Sequence, residues 1–162
     1  MTIVFRYDVE ERDCQEVRRL VDATGYFSAA EADVAVELVQ ERLAKGDASG
    51  YHFVFVEEGR APAGYGCYGP IPGTESSFDL YWIVVDPSRR GKGLGRALMT
   101  NMERLVQERG GRRIYVDTSS RPQYASTRAF YEHNGYVQAA LLEDFYAPGD
   151  GKAIYLKVLC GV

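Results

Sequence analysis

The chain has 162 residues and a net charge of −4, a size that fits one domain with a hydrophobic core. Its 46% hydrophobic residues exclude a disordered chain. The longest uncharged apolar run, Leu80 to Val85, is too short for a membrane helix, which needs about 20 residues. The N-terminus lacks the basic segment and long apolar run of a secretory signal. We therefore expect one domain, residues 1–162, in the cytoplasm and without a membrane partner.

Basic residues are concentrated in one segment of an otherwise acidic chain. Arg89 to Arg113 holds eight basic and two acidic residues. A nucleic-acid-binding face would spread its basic charge and interleave aromatic residues, whereas here much of the charge surrounds a glycine-rich turn. This pattern favours a small polyanionic ligand over nucleic acid. The cysteines, Cys14, Cys67 and Cys160, are too few and too widely spaced for a disulfide scaffold or a zinc site, so we expect no metal.

The predicted elements alternate between helices and strands. A strand begins at Ile3, and two helices follow, the second starting at a capping box formed by Ser28 and Glu31. This second helix runs through Val34, Leu38, Val39 and Leu43 and stops at Gly46. The predicted segments are strand 3–9, helices 12–24 and 28–46, strands 52–58, 63–69 and 78–85, helix 94–109, strand 113–118, helix 124–134, and strands 136–145 and 153–159. The order βααβββαβαββ predicts an α/β fold, a mixed central sheet of about seven strands with flanking helices.

The most informative segment is the glycine-rich turn that joins the 78–85 strand to the following helix. A helix N-terminus offers unpaired N–H groups and a partial positive charge, which favour an anion. Gly91, Gly93 and Gly95 let the backbone approach a phosphate closely, and Arg90 and Lys92 add positive charge. The spacing fits neither the P-loop nor the dinucleotide-binding fingerprint. The turn therefore predicts a phosphate site of another kind.

Two segments carry a resemblance to a known family. Arg90-x-x-Gly93-x-Gly95, preceded by Val85-Asp86-Pro87, resembles the acetyl-CoA pyrophosphate motif of the GNAT superfamily of N-acetyltransferases. The segment from Thr127 to Tyr136 is similar to the A-x-x-F-Y-x-x-x-G-F segment of that family. The predicted element order resembles the GNAT fold over essentially the whole chain. The resemblance implies an N-acetyltransferase that uses acetyl-CoA as its acetyl donor.

The resemblance also implies roles for individual residues. Tyr131 falls on the tyrosine acid that protonates the departing CoA thiolate. The nearest match to the glutamate that acts as base is Asp117, which as a carboxylate near a turn could also be an ordinary surface residue. Tyr124 stands where ribosomal-protein-type members have an asparagine, a departure from that branch. The positions that would contact the pantetheine arm and the pyrophosphate are Ile83, Val84, Val85, Arg90, Gly91, Lys92, Gly93, Leu94 and Gly95.

The acceptor is expected to be the primary amine of a small molecule, attacking acetyl-CoA directly in a ternary complex. The segment from Asp144 to Asp150 looks like a branch of small bacterial members associated with amino acids such as D-alanine. Candidate acceptor-binding residues are Trp82, Asp144 and Tyr146. Two alternatives remain open: acetylation of a protein N-terminus or lysine, and a CoA-binding sensor without turnover. The apolar, aromatic-rich later strands would suit a homodimer.

Overall fold

The computed structural model describes residues 2–159, and its elements follow the predicted order. The capping box predicted for the second helix is present, since Ser28 Oγ accepts the Glu31 N–H at 3.1 Å and Glu31 Oε1 accepts the Ser28 N–H at 3.0 Å. The elements are β1 (Ile3–Arg6), α1 (Asp13–Ala23), α2 (Ala29–Lys45), β2 (His52–Glu58), β3 (Ala61–Pro70), β4 (Ser77–Val85), α3 (Leu94–Glu108), β5 (Arg113–Ser119), α4 (Ala125–His133), β6 (Val137–Ala147) and β7 (Asp150–Val158). The predicted α/β fold class is confirmed.

The seven strands form one mixed sheet in the order β1-β2-β3-β4-β5-β7-β6. The pairs β1–β2, β2–β3, β5–β7 and β6–β7 are antiparallel. β4 pairs with β5 in parallel, and the register joins Ser77, Phe78 and Asp79 to Arg113, Ile114 and Tyr115. This register fixes which side chains of β4 and β5 share a face of the sheet, because side chains alternate along a strand.

The chain divides into two compact units. The first consists of Met1–Gly69 and Tyr81–Arg104, and the second of Pro70–Leu80 and Leu105–Val162. β4 and α3 each contribute residues to both units. Within residues 2–159, no helix combines the length and apolar character that crossing a membrane requires.

The buried face of α2 combines two alanines with one valine. Val39 is buried, whereas Val34 is 48% and Leu43 is 39% exposed. The other buried positions of α2 are Ala32 and Ala35, which join the core cluster together with Val17 and Leu20 of α1. Because alanine side chains are short, they let α2 pack close to α1.

Close backbone approaches in the first unit explain two glycines of β3. A Cβ at Gly64 would lie 2.7 Å from the carbonyl oxygen of Val84, and a Cβ at Gly69 would lie 1.9 Å from that of Gly50. Both distances are shorter than nonbonded contact allows. Gly64 thus lets β3 lie directly against the end of β4, just before the glycine-rich loop begins.

Candidate functional site

The turn between β4 and α3 has the geometry of an anion-binding loop. Gly91 and Gly93 have φ angles of +82° and +76°, a left-handed conformation that residues with a Cβ rarely adopt. α3 begins at Leu94, and its first hydrogen bond joins the Ala97 N–H to the Gly93 carbonyl at 3.0 Å. The N–H groups before Ala97 therefore precede the hydrogen-bonded ladder of the helix, and the helix dipole favours a negative group beside them.

A buried carboxylate lies under the positive charge of this loop. Glu58, at the end of β2, has a side chain that is only 5% exposed. Arg89 Nη1 lies 3.3 Å from Glu58 Oε1, and Lys92 Nζ lies 4.0 Å from Glu58 Oε2. Arg90, by contrast, is exposed. Glu58 therefore ties the start of the loop to β2 and offsets part of its charge, while Arg90 keeps its guanidinium toward solvent.

The last residues of β4 are largely buried. Val84 is buried, Ile83 and Val85 are partly buried, and the Val84 carbonyl lies so close to Gly64 that no Cβ fits between them. Trp82 lies edge to face with Phe27, with ring centres 5.0 Å apart. Trp82 therefore has a packing partner in the first unit, and its role in acceptor binding stays a prediction.

Tyr131 is a buried phenol in an aromatic cluster of the second unit. It is 5% exposed, and the centres of the Tyr136 and Tyr155 rings each lie 6.0 Å from its own. Burial, and the negative charge of Asp117, raise the pKa of Tyr131 above its ordinary value. The phenol therefore keeps its proton at neutral pH, as a proton donor must. The cluster also fixes the ring, because a buried aromatic side chain has few alternative rotamers.

Asp117 belongs to a charged group that sequence reasoning identified only in part. Its carboxylate is 44% exposed, and Oδ2 lies 3.1 Å from Lys152 Nζ. Asp79 pairs with Tyr115, two residues before Asp117, so both carboxylates are on the same face of the sheet. Burial, and the charge of Asp117, raise the pKa of Asp79, while Lys152 opposes the rise. Asp79, Asp117 and Lys152 form what we term the β4–β5–β7 charge cluster.

Asp144 and Tyr146 lie in a bulged segment of β6. The register moves from Leu142 opposite Lys152 to Ala147 opposite Asp150, so residues 143–146 stand opposite a single residue of β7. Asp144 has a φ of +56°, and its Oδ1 accepts the Gly149 N–H at 2.8 Å. Tyr146 is 50% exposed. Asp144 therefore braces the hairpin, and contact of either side chain with an acceptor stays a prediction.

The predicted site residues fall into two groups, one in each unit. The loop 90–95, the end of β4 and Trp82 belong to the first unit, and Tyr131, Asp117, Asp144 and Tyr146 belong to the second. Sequence reasoning missed Asp79, Lys152 and Glu58. Asp79 is the single charged residue of β4, which was a usable signal. Lys152 and Glu58 gave none, because each sits beside an ordinary turn and only the strand register shows its partners.

The two cysteines within the described residues are unsuited to covalent catalysis. Cys14 and Cys67 are free thiols, and burial raises the pKa of both, aided at Cys14 by Asp13 and Glu11. A raised pKa disfavours the nucleophilic thiolate. Cys160 lies outside the described residues. Over residues 2–159, no three His, Cys, Asp or Glu side chains are placed to hold a metal ion.

We expect turnover to persist without these thiols. The double variant C14S/C67A should retain kcat within about threefold of the unsubstituted protein, because neither thiol supplies a nucleophile. Steady-state assays with the folded variant measure this, with circular dichroism as the check on folding. Recovery of an acetylated cysteine from protein incubated with acetyl-CoA would contradict the expectation.

Comparison with known proteins agrees with this geometry. The model of the acetyltransferase (GNAT) family matches residues 14–136. The [ribosomal protein bS18]-alanine N-acetyltransferase of Escherichia coli strain K12 is 32% identical over 73 residues, which are 45% of this chain and 48% of that protein. The chain thus spans about half the length of this curated relative.

Two solved structures extend the likeness to the whole chain. A protein from Desulfovibrio desulfuricans assigned to the GNAT family of acetyltransferases is 48% identical, with a TM-score of 0.96 over 98% of this chain and 100% of that one. The structure of yncA from Salmonella typhimurium with its cofactor acetyl-CoA is 16% identical, with a TM-score of 0.76 over 100% of this chain and 96% of that one, and shares the fold. These matches confirm the family predicted from the sequence, and the chain belongs to the acetyltransferase (GNAT) family.

Proposed function

We propose that this protein is an acetyl-CoA-dependent N-acetyltransferase whose acceptor is the primary amine of a small molecule, attacking the donor directly in a ternary complex. The observation that carries the proposal is the loop between β4 and α3. It combines two left-handed glycines, a helix N-terminus and exposed cations in a chain that belongs to the GNAT family. A pyrophosphate matches that set of donors and charges.

The residues present fit acetyl-CoA. The backbone N–H groups of residues 91–95 would bind the pyrophosphate, and Arg90 would add an ionic contact from its exposed guanidinium. Ile83, Val84 and Val85 would lie along the pantetheine arm. Bound there, acetyl-CoA supplies an activated acetyl thioester. The structure of yncA, which has the same fold, was solved with its cofactor acetyl-CoA, and this supports the assignment.

We infer that Tyr131 is the acid. It would donate its phenolic proton to the sulfur of CoA as the thioester bond breaks. Its raised pKa keeps the proton in place at neutral pH, and its aromatic neighbours hold the ring in one orientation.

The proton of the acceptor ammonium would leave toward Asp117 and Asp79. A peptide-like α-amine with a pKa near 7.8 is about 14% neutral at pH 7, so deprotonation costs only about 1 kcal/mol, against about 4.6 kcal/mol for a lysine amine. A weak base or a water chain therefore suffices for a peptide-like α-amine, whereas the more basic amine of a free amino acid needs the carboxylates to accept its proton. Asp79, whose pKa is raised by burial and by the Asp117 charge, is the better proton acceptor of the two.

We expect Asp117→Asn to lower kcat less than about a hundredfold and to move the acid limb of the kcat/KM profile to lower pH. The shift follows because the substitution removes the negative charge that helps to raise the pKa of Asp79 and leaves Lys152, which lowers it. A pH series with both proteins measures the limb. An acid limb that moves to higher pH, or complete loss of turnover in folded protein, would contradict the assignment of Asp79 and Asp117 as proton acceptors.

Acetylation of a protein N-terminus is the second candidate, and it is favoured by the bS18-alanine N-acetyltransferase relative. An acceptor panel separates the two. CoA-thiol release from acetyl-CoA is measured with D- and L-amino acids, D-alanine included, with polyamines and aminoglycosides, and with short peptides. Turnover of free small amines supports the proposal, and turnover of peptides alone replaces it with protein acetylation.

We further propose that the chain is one N-acetyltransferase domain, which the match over 98% of its length supports. Free thiols at Cys14 and Cys67 agree with the reducing conditions of the cytoplasm. Exposed apolar side chains along β6, the strand at the edge of the sheet, would suit a homodimer. Light scattering coupled to gel filtration measures the oligomeric state.

A further inference from the structure

Lys152 lies beside Asp117, one of the two carboxylates to which we assign a base function. In the register of β5 with β7, Lys152 pairs with Ser119 and Asp117 pairs with Ile154. Asp117 and Lys152 are therefore diagonal neighbours on one face of the sheet. The Lys152 ammonium is 3.1 Å from Asp117 Oδ2 and 4.6 Å from the centre of the Phe145 ring, and its side chain is 22% exposed.

The bulge of β6 fixes this position. Leu142 pairs with Lys152, and the bulged residues 143–146 follow immediately, so Phe145 stands where its ring face meets the ammonium. A cation over an aromatic face is stabilised and loses conformational freedom. The Lys152 ammonium has three N–H groups. Its contacts with one oxygen of Asp117 and with the Phe145 ring leave it able to donate a further hydrogen bond.

A lysine at this place disfavours an acceptor that carries only positive charge. It repels an approaching ammonium, because the two groups carry charges of the same sign. This repulsion is offset when the acceptor itself carries an anionic group close to its amine. The two carboxylates of the charge cluster then face the ammonium and Lys152 faces the anion, so charges of opposite sign meet throughout.

We propose that Lys152 binds the carboxylate of the acceptor, so that the acceptor is a free α-amino acid. The inference rests on the proposed function and deepens it by naming the substrate class. In an α-amino acid only one carbon separates the amine from the carboxylate, which matches the short distance between Asp117 and Lys152. A peptide N-terminus has a neutral amide at the same place and would leave Lys152 without its anionic partner.

The test compares each amino acid of the panel with its carboxamide and with the amine that lacks the carboxyl group. The best amino acid should exceed its carboxamide in kcat/KM by about tenfold or more, because the amide cannot pair with Lys152. The amide has the less basic amine, so proton loss alone would favour it, and a preference for the amino acid therefore reports recognition of the carboxylate. K152M should raise KM for the amino acid about tenfold or more, change kcat less, and leave turnover of the carboxamide undiminished, because the substitution removes a like charge that repels its ammonium.

Two further variants separate binding from folding. K152R keeps the charge and should recover most of the affinity for the amino acid. K157M makes the same change at another lysine of β7, whose ammonium donates to the Asn134 carbonyl at 2.8 Å, and it should not change the preference between amino acid and amide. Equal or better turnover of amides, or a K152M loss that is the same for all acceptors, overturns the inference while the proposed function stands. No turnover of any amine contradicts the proposed function itself.

Discussion

Replacing Tyr131 by phenylalanine is expected to lower kcat at least about tenfold while leaving the affinity for acetyl-CoA unchanged. The substitution removes one hydroxyl and keeps a ring that packs against Tyr136 and Tyr155. The departing thiolate then has no positioned proton donor. The raised pKa of Tyr131 means that the unsubstituted protein keeps this proton even where an ordinary tyrosine begins to lose it. Single-turnover rates and a direct binding titration separate the two effects.

Tyr155→Phe is the matched control, because it removes a hydroxyl from the same buried cluster. The Tyr155 hydroxyl donates to Glu132 Oε1 at 3.0 Å, so its loss should lower the free energy of unfolding by about 1 kcal/mol and leave kcat unchanged. Equal losses of kcat in the two variants would show that Tyr131 acts through packing. Full activity of Tyr131→Phe would remove it as the acid.

Replacing Gly93 by alanine is expected to weaken acetyl-CoA binding about tenfold or more. At a φ of +76° an alanine is strained even though a Cβ would meet no other atom there. The loop then relaxes toward another conformation, and the N–H groups of residues 91–95 lose the arrangement that we propose binds the pyrophosphate. Kd for acetyl-CoA, measured by calorimetry, reports the loss.

Gly73→Ala provides the matched control for backbone strain. Gly73 has a φ of +80° and also has open space around a Cβ, but it lies in the turn that precedes β4. Both variants should lose a similar free energy of unfolding, of the order of 1 kcal/mol. Only the change at Gly93 should reduce the affinity for acetyl-CoA. Equal affinities in the two variants would contradict the assignment of loop 90–95 to the pyrophosphate.

The sequence predicted the helices, the strands and the glycine-rich loop because these features depend on interactions between residues close together in the chain. Ser28 and Glu31 cap α2 through their own neighbours, and Gly91 and Gly93 take left-handed angles that their residue type allows. Which positions of α2 are buried depends on its packing against the rest of the fold, which buries Ala32 and leaves Val34 exposed, and the apolar spacing along the helix does not show this.

The rest of the site depends on strand register, which the sequence does not display. Lys152 meets Asp117 only because β7 pairs with β5 in one particular alignment. The bulge at residues 143–146 inserts extra residues into β6, and no composition signal marked it. Glu58 lies close to Arg89 and Lys92 although more than thirty positions separate them along the chain. Such contacts between distant positions decide the electrostatics of the site.

The most direct test of the central claim is to incubate the purified chain with acetyl-CoA and the acceptor panel, and to measure thiol release and product mass in the same reaction. We predict that thiol release depends on the acceptor and that one free amine gains a single acetyl group, with Tyr131→Phe at least about tenfold slower. Tight binding of acetyl-CoA without an acetylated product from any small amine or peptide would contradict the account and would favour a CoA-binding sensor.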